Sequence, residues 1–257
     1  MMPANTAPDL DLTSPDRRNR LTVGFRSLLV IPQTIAVTVL GLIASAAIFV
    51  GWFAALATGR IPTWAWTFTA QVTAYQVRVS AYQYLLVDEY PPFAFTAPDV
   101  TNYPVQLDLP EQGRLSRVKV LFRIILAIPA TIVFTTLNWG WIACGFFIWL
   151  AVLITGRTPQ PVLDAVSAML RYQLRYNAWL NLLTDKRPKE LFGDKNPTAE
   201  RHSATRPLIL SRGGRRLLIT FIVVGVLAYL SYNLTNTLVI QPMLQDALLQ
   251  QMEHMPR

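Results

Sequence analysis

Residues 20–62 read RLTVGFRSLLVIPQTIAVTVLGLIASAAIFVGWFAALATGRIP, and residues 117–159 read RVKVLFRIILAIPATIVFTTLNWGWIACGFFIWLAVLITGRTP. The second stretch is the first displaced by 97 positions. The register runs without a gap from Arg20 to Phe95 against residues 117–192, with 29 of 76 positions identical. The identities come in blocks: Phe25-Arg26 with Phe122-Arg123, Ile31-Pro32 with Ile128-Pro129, Trp52 with Trp149, and Thr58-Gly59-Arg60 with Thr155-Gly156-Arg157. Further on, Tyr75-Gln76 and Arg78 match Tyr172-Gln173 and Arg175, and Leu85-Leu86 and Asp88 match Leu182-Leu183 and Asp185. A fixed offset over that length marks a duplicated structural unit.

Each unit opens on a basic amphipathic stretch, which a proline breaks or kinks before a long apolar run. From Gln33 to Ala57, and again from Ala130 to Ile154, no charge interrupts about 25 residues, enough to cross a hydrocarbon core of roughly 30 Å at 1.5 Å per residue. Thr-Gly-Arg-x-Pro then reads as a tight helix-to-helix turn, with glycine after one helix end and proline in the first turn of the next. The helix that follows is expected to be amphipathic. Trp64, Phe68, Val72, Tyr75, Val79, Tyr82 and Leu86 form one stripe, while Gln76, Ser80 and Gln83 face away. Arg78 near its middle would cost about 2.5–3.5 kcal/mol in a lone span, so this helix should not insert unaided.

The chain is 52% hydrophobic and 15% charged over 257 residues, too apolar for an ordinary soluble surface. The charge of +8 comes from bases beside the apolar runs, which suits anionic headgroups and requires no nucleic acid. The single cysteine, Cys144, excludes an intrachain disulfide. Residues 1–19 form a polar tail without the apolar core of a cleavable signal peptide. Basic residues before each unit (Arg17, Arg18 and Arg20, then Arg114, Arg117 and Lys119) and before the last apolar run (Lys186, Arg187, Arg212, Arg215 and Arg216) all take the cytoplasmic side under the positive-inside rule. Each unit then crosses an even number of times. Either the amphipathic helix crosses against its neighbour, which is the preferred reading, or the apolar run is a re-entrant hairpin broken near Gly41 and Asn138-Trp139-Gly140. The expected fold is an all-α integral membrane protein. It has repeats at 20–95 and 117–192, a linker at 96–116 in which Val105, Leu107 and Leu109 alternate, a basic loop at 193–216, a transmembrane helix at 217–240 and a tail at 241–257. With both copies in one orientation, the repeat is expected to be parallel, about an axis along the membrane normal.

Arg20-Leu-Thr-Val-Gly-Phe-Arg with Ile31-Pro32, the Thr58-Gly59-Arg60-Ile61-Pro62 turn, Asp88-Glu89-Tyr90-Pro91-Pro92-Phe93 and Tyr103-Pro-Val-Gln-Leu-Asp together resemble a family of bacterial membrane proteins known as domain of unknown function 4389. The resemblance covers residues 18–193, in both copies. It implies architecture and a bacterial cell membrane location, and it supplies no reaction. Where the family often has a histidine after Ile-Pro, this chain has Gln33 and Ala130, which removes any proton or metal role there.

The residues most open to a functional reading are the repeated charges: Arg26, Arg60, Arg78, Arg123, Arg157, Arg175, Asp88 and Asp185. A guanidinium at headgroup depth can hold phosphate through two nitrogens, against the plainer reading that these side chains snorkel and set helix depth. Asp88 and Asp185 follow helix ends, where the dipole disfavours a carboxylate unless a base offsets it, so structural ion pairs are expected. Asp164 reads as a first-turn acid. The seven tryptophans are accounted for by interfacial anchoring and packing before any ligand cage. His202 and His254 make no metal set, no cofactor is implied, and no nucleophile elbow, zinc helix, phosphate loop or dinucleotide fingerprint is present. The expected function is that of a non-enzymatic membrane subunit or scaffold docking other membrane proteins, a second copy or anionic lipids, within a cell-envelope complex. The alternatives are a carrier with Arg78 and Arg175 in a polar cavity between the copies, and a lipid-modifying enzyme.

Overall fold

The computed structural model describes residues 7–14, 17–95, 103–194, 205–243 and 245. His202, His254 and most of the tail lie outside them. In copy 1, the Asn19 side chain accepts the Leu21 amide and starts α1 (Arg20–Leu29); a break at Val30 admits Pro32 to the first turn of α2 (Ile31–Thr58). Gly59, at φ 75°, takes the left-handed conformation that ends α2, and Pro62 leads into α3 (Thr63–Gln83). Copy 2 repeats this as α4 (Arg117–Leu121), α5 (Arg123–Thr155), Gly156 at φ 67° and α6 (Gln160–Leu180). Here the break falls at Phe122, and Pro129 sits inside α5. A last helix, α7 (Arg212–Thr235), runs on through a wider turn at Asn236–Ile240 to Met243, so it begins earlier than the expected 217.

The copies are related by an internal two-fold, and the hydrogen bonds between them come in matched pairs. The Arg18 amide donates to Gly156 O at 2.8 Å, and its counterpart Leu115 donates to Gly59 O at 2.9 Å. Trp149 Nε1 donates to Val23 O at 2.8 Å, and Trp52 Nε1 donates to Val120 O at 3.2 Å. These indoles therefore serve packing, and tie copy to copy. Trp149→Phe is expected to cost about 1 kcal/mol for the lost bond, and Trp52→Phe about as much, adding in the double variant because the sites lie at opposite ends. Denaturant unfolding in detergent measures this.

The same bonds set the direction of the two long apolar helices, which a parallel repeat of upright spans would have run side by side in one direction. The start of copy 1 meets the end of α5, and the start of copy 2 meets the end of α2, so the two apolar helices run antiparallel. The charge pattern misled because both ends of each long helix carry bases. The re-entrant alternative also falls, since α2 continues through Gly41 and α5 through Asn138-Trp139-Gly140. Gly140 instead serves a crossing: a Cβ there would overlap the Phe221 backbone, and one at Gly225 would overlap Thr136 O. Glycine at these positions lets α5 and α7 approach until their backbones touch.

Helices α3 and α6 are expected to keep a polar face open, and they do so only in part: in α3 Gln83 is exposed and Gln76 half-buried, while Ser80 is buried. From Thr69 through Tyr82, all but Gln71 and Gln76 are buried, and α6 is buried from Asp164 to Tyr176. What covers them is the part of the chain that composition assigned to tail and linker. Leu10 and Leu12, each 1% exposed, belong to strand β1 (Asp9–Leu12), which pairs antiparallel with β2 (Val105–Asp108) in the register Leu10 to Leu107. The fold is therefore mostly helical with a small ribbon. It is layered: α1–α2, α4–α5 and α7 on one side, α3 and α6 in the middle, ribbon and loops on the other.

Candidate functional site

Duplication places each candidate twice. Arg26 Nη1 donates to Tyr82 O and Val87 O at 3.0 Å or less, Nη2 reaches Asp88 at 2.7 Å, and the guanidinium lies 4.4 Å over the Tyr82 ring. Arg123 repeats this on Trp179 O, Asp185 at 3.5 Å and the Trp179 ring at 5.3 Å. Each arginine pins the end of the returning helix to the start of the long one. The loop there is forced: Leu85 and Leu182 take φ 62° and 64°, and the following amides bond back to Ala81 O and Ala178 O. The carboxylates differ in their second partner. Asp88 holds Arg18, which is fully buried, and the Asn19 amide, whereas Asp185 holds the half-exposed Lys119 at 2.6 Å. Burial pushes the Arg18 and Arg26 guanidinium pKa values down, against the opposing pull of Asp88.

Arg78 and Arg175 lie on the ribbon side and face the loops. Arg78 donates to Ala94 O at 2.8 Å, and Arg175 to Pro8 O at 3.1 Å, Lys189 O at 3.2 Å and Glu190 at 3.3 Å. Both are buried, and neither lines a shared opening among the cavities below. Arg171, Asp9 and Asp194 form a cluster that sequence reasoning missed. Arg171 bridges Asp9 at 2.9 Å and Asp194 at 2.8 Å and donates to Thr205 O, locking the N-terminal strand, Asp194 and Thr205 onto α6. Burial pushes the Asp9 carboxyl up despite Arg171. At Asp194 burial acts the same way, but the Leu208 amide and Arg171 outweigh it and leave the carboxyl below its usual range. Nothing in periodicity marks such pairs, which join Arg171 to Asp9, 162 positions before it, and to Asp194, 23 positions after it. Asp164 accepts from the Ser211 amide at 2.8 Å and Gln160 Nε2 at 2.7 Å, so it holds the start of α7 rather than simply facing a dipole. Gln33, at the position of the family's histidine, is buried between Tyr75 Oη and Pro91 O. Arg60 and Arg157 are exposed, each just past the C-terminal end of its own long helix and so at opposite ends of the antiparallel pair.

Two grooves of about 620 and 500 Å³ are copies of each other. The first has Arg26 and Leu85 at its base and Ile142, Phe146 and Trp149 of the other copy as its wall; the second has Arg123, Leu182, Ser45, Phe49 and Trp52 in the equivalent places. Both open on the exposed apolar side, where Phe146 is 62% and Phe49 65% exposed. A third cavity of about 510 Å³ lies between α5 and α7 by Thr131, Tyr176 and Tyr229. No group of His, Cys, Asp and Glu suited to a metal occurs among the described residues. The arrangement supplies apolar grooves with an ion-paired arginine at the base, and the carboxylates beside them are held by guanidinium, ammonium and amide groups.

A family model described as a domain of unknown function (DUF4389) matches residues 20–94 and 117–191. No curated protein and no solved structure matches the chain.

Proposed function

The chain belongs to this family of unknown function in both halves, so no activity accompanies the assignment, and we propose from the geometry that it is a non-enzymatic membrane component binding anionic phospholipid and, through its apolar side, partner subunits. The observation that carries the reading is the pair of matching grooves. Each places an aromatic wall suited to acyl chains beside an arginine that is itself paired with Asp88 or Asp185, and each opens onto a continuous apolar surface. Three helices of 28, 33 and 32 residues are long and apolar enough to cross a membrane, which supports a membrane location. We place that location in a bacterial plasma membrane, with the N-terminus cytoplasmic, from the family resemblance and the clustered bases.

A carrier with Arg78 and Arg175 in a common cavity finds no support, because those side chains are tied to the loops of their own copies and to Pro8 O. A lipid-modifying enzyme would need a carboxylate free to take a proton, whereas Asp88 and Asp185 each hold two cations. The test is purification in mild detergent followed by native mass spectrometry. Bound anionic phospholipid, depleted in Trp52→Ala and Trp149→Ala, is the expected result. A solitary monomer without lipid or protein partner would overturn the reading.

A further inference from the structure

The apolar surface is too long for a helix standing upright in a bilayer. On the unbroken helix α5 it runs from Ile124, 74% exposed, to Ile154, 64% exposed, which is about 45 Å at 1.5 Å per residue against a hydrocarbon core of roughly 30 Å. In copy 1 it begins before α2, at Leu21, Phe25 and Leu28 of α1. Tilt absorbs part of such a mismatch. It does nothing for the opposite face. Asp9 sits against Arg171 and Arg175 in the middle and second half of α6, and Tyr172 and Tyr176 of the same stretch reach Ala130 O and Thr131, about a quarter of the way along α5. If α5 crossed a bilayer, the ribbon bearing Asp9 and Asp108 and the partly exposed Arg206 and Glu190 would stand alongside the span rather than beyond its ends, where charges are poorly tolerated.

The exposed bases argue the same way. Arg17, Arg20 and Arg157 gather at one end, around a cavity of about 510 Å³ also lined by Thr155 and Gly156. Their counterparts Arg114, Arg117 and Arg60 gather at the other end, where Leu115 bonds Gly59 and the Arg117 Nε lies 3.8 Å from where a Gly59 Cβ would be. Each corner is built from the start of one copy and the turn of the other. Among the described residues no carboxylate pairs with any of these six arginines. In an upright molecule one corner would face each side of the membrane, contrary to the bias of bases toward the cytoplasm.

We infer that the two-copy body lies along the membrane rather than through it. The layer of α1–α2, α4–α5 and α7 is sunk in one leaflet, the ribbon side is in water, and both arginine corners rest on anionic headgroup phosphates of that same leaflet. The internal two-fold then stands along the membrane normal, which gives both copies the same orientation although their long helices are antiparallel. Zero crossings also satisfy the even count that the charge pattern demands.

The inference rests on the membrane reading, and one experiment separates the two. Arg60→Cys and Arg157→Cys, each in a Cys144→Ala background, are treated with a membrane-impermeant maleimide in intact spheroplasts and in inverted vesicles. Detergent-solubilised protein serves as the full-labelling control. Both positions are expected to react from one side only, the same side for both. Reaction from opposite sides, or from neither until detergent is added, overturns the in-plane arrangement while leaving the protein a membrane protein. Recovery of the chain in the soluble fraction overturns the membrane reading itself.

Discussion

Gly140→Ala is expected to pry α7 from α5. The added methyl would overlap the carbonyl oxygen, carbonyl carbon and Cα of Phe221, and backbone atoms cannot swing aside as a side chain does. Accommodation means separating the two helices where Leu137, Leu218 and Phe221 are at most 1% exposed, so apolar packing is lost around the crossing. The expected loss is about 3 kcal/mol, the upper end for overpacking, because both surfaces are backbone. Gly225→Ala, which would strike Thr136 O, should cost as much. Gly41→Ala is the control. Nothing lies within 4 Å of its Cβ position, so it should be neutral or stabilising by up to about 1 kcal/mol through helix propensity. Unfolding by denaturant in detergent, with limited proteolysis of residues 205–211 to report release of α7, measures the contrast.

Asp88→Asn is the second large effect. The amide is nearly isosteric with the carboxylate but leaves two guanidinium groups, Arg18 and Arg26 with side chains 0% and 4% exposed, without a negative partner. It also turns an NH2 group toward donors. Removing one member of a buried ion pair costs about 3–5 kcal/mol. Because the Asp88 side chain is 19% exposed, the low end, about 3 kcal/mol, is expected. Asp185→Asn should cost less, since Lys119 is 51% exposed and returns to water, leaving only Arg123 deprived. Equal losses at the two positions would mean that Arg18 contributes nothing at Asp88. Unfolding midpoints of the two single variants decide it.

The duplicated unit, its turns and its long apolar helices were legible in the sequence because each depends on neighbours in the chain. Gly59 and Gly156 announce their left-handed turns, and uncharged runs announce the long helices. The burial of α3 and α6 was not legible. Their glutamines and Arg78 read as a wet face, whereas residues 9–12, 88–95 and 105–108 fold over that face and satisfy it with carbonyls such as Ala94 O. The arginine–aspartate pins at 26–88 and 123–185 were half visible, as acids at helix ends in want of a base. The pairings of Arg18, Asp9, Arg171 and Asp194 were invisible, because each joins segments that meet only in the folded chain. The antiparallel direction of the long helices was not legible for a simple reason: a charge rule counts bases near apolar runs, and the two-fold places bases at both ends of each long helix.

The central claim, that the copies meet head to tail, is tested most directly by the distance between spin labels at positions 60 and 157 in a Cys144→Ala background, measured by pulsed electron spin resonance. Arg60 lies beside the start of copy 2 and Arg157 beyond the far end of the 33-residue α5, so a separation of about 50 Å is predicted at 1.5 Å per residue. Labels at 60 and 117 should instead be close. A short 60–157 distance, with 60 and 117 far apart, would place the two turns side by side and contradict the antiparallel arrangement.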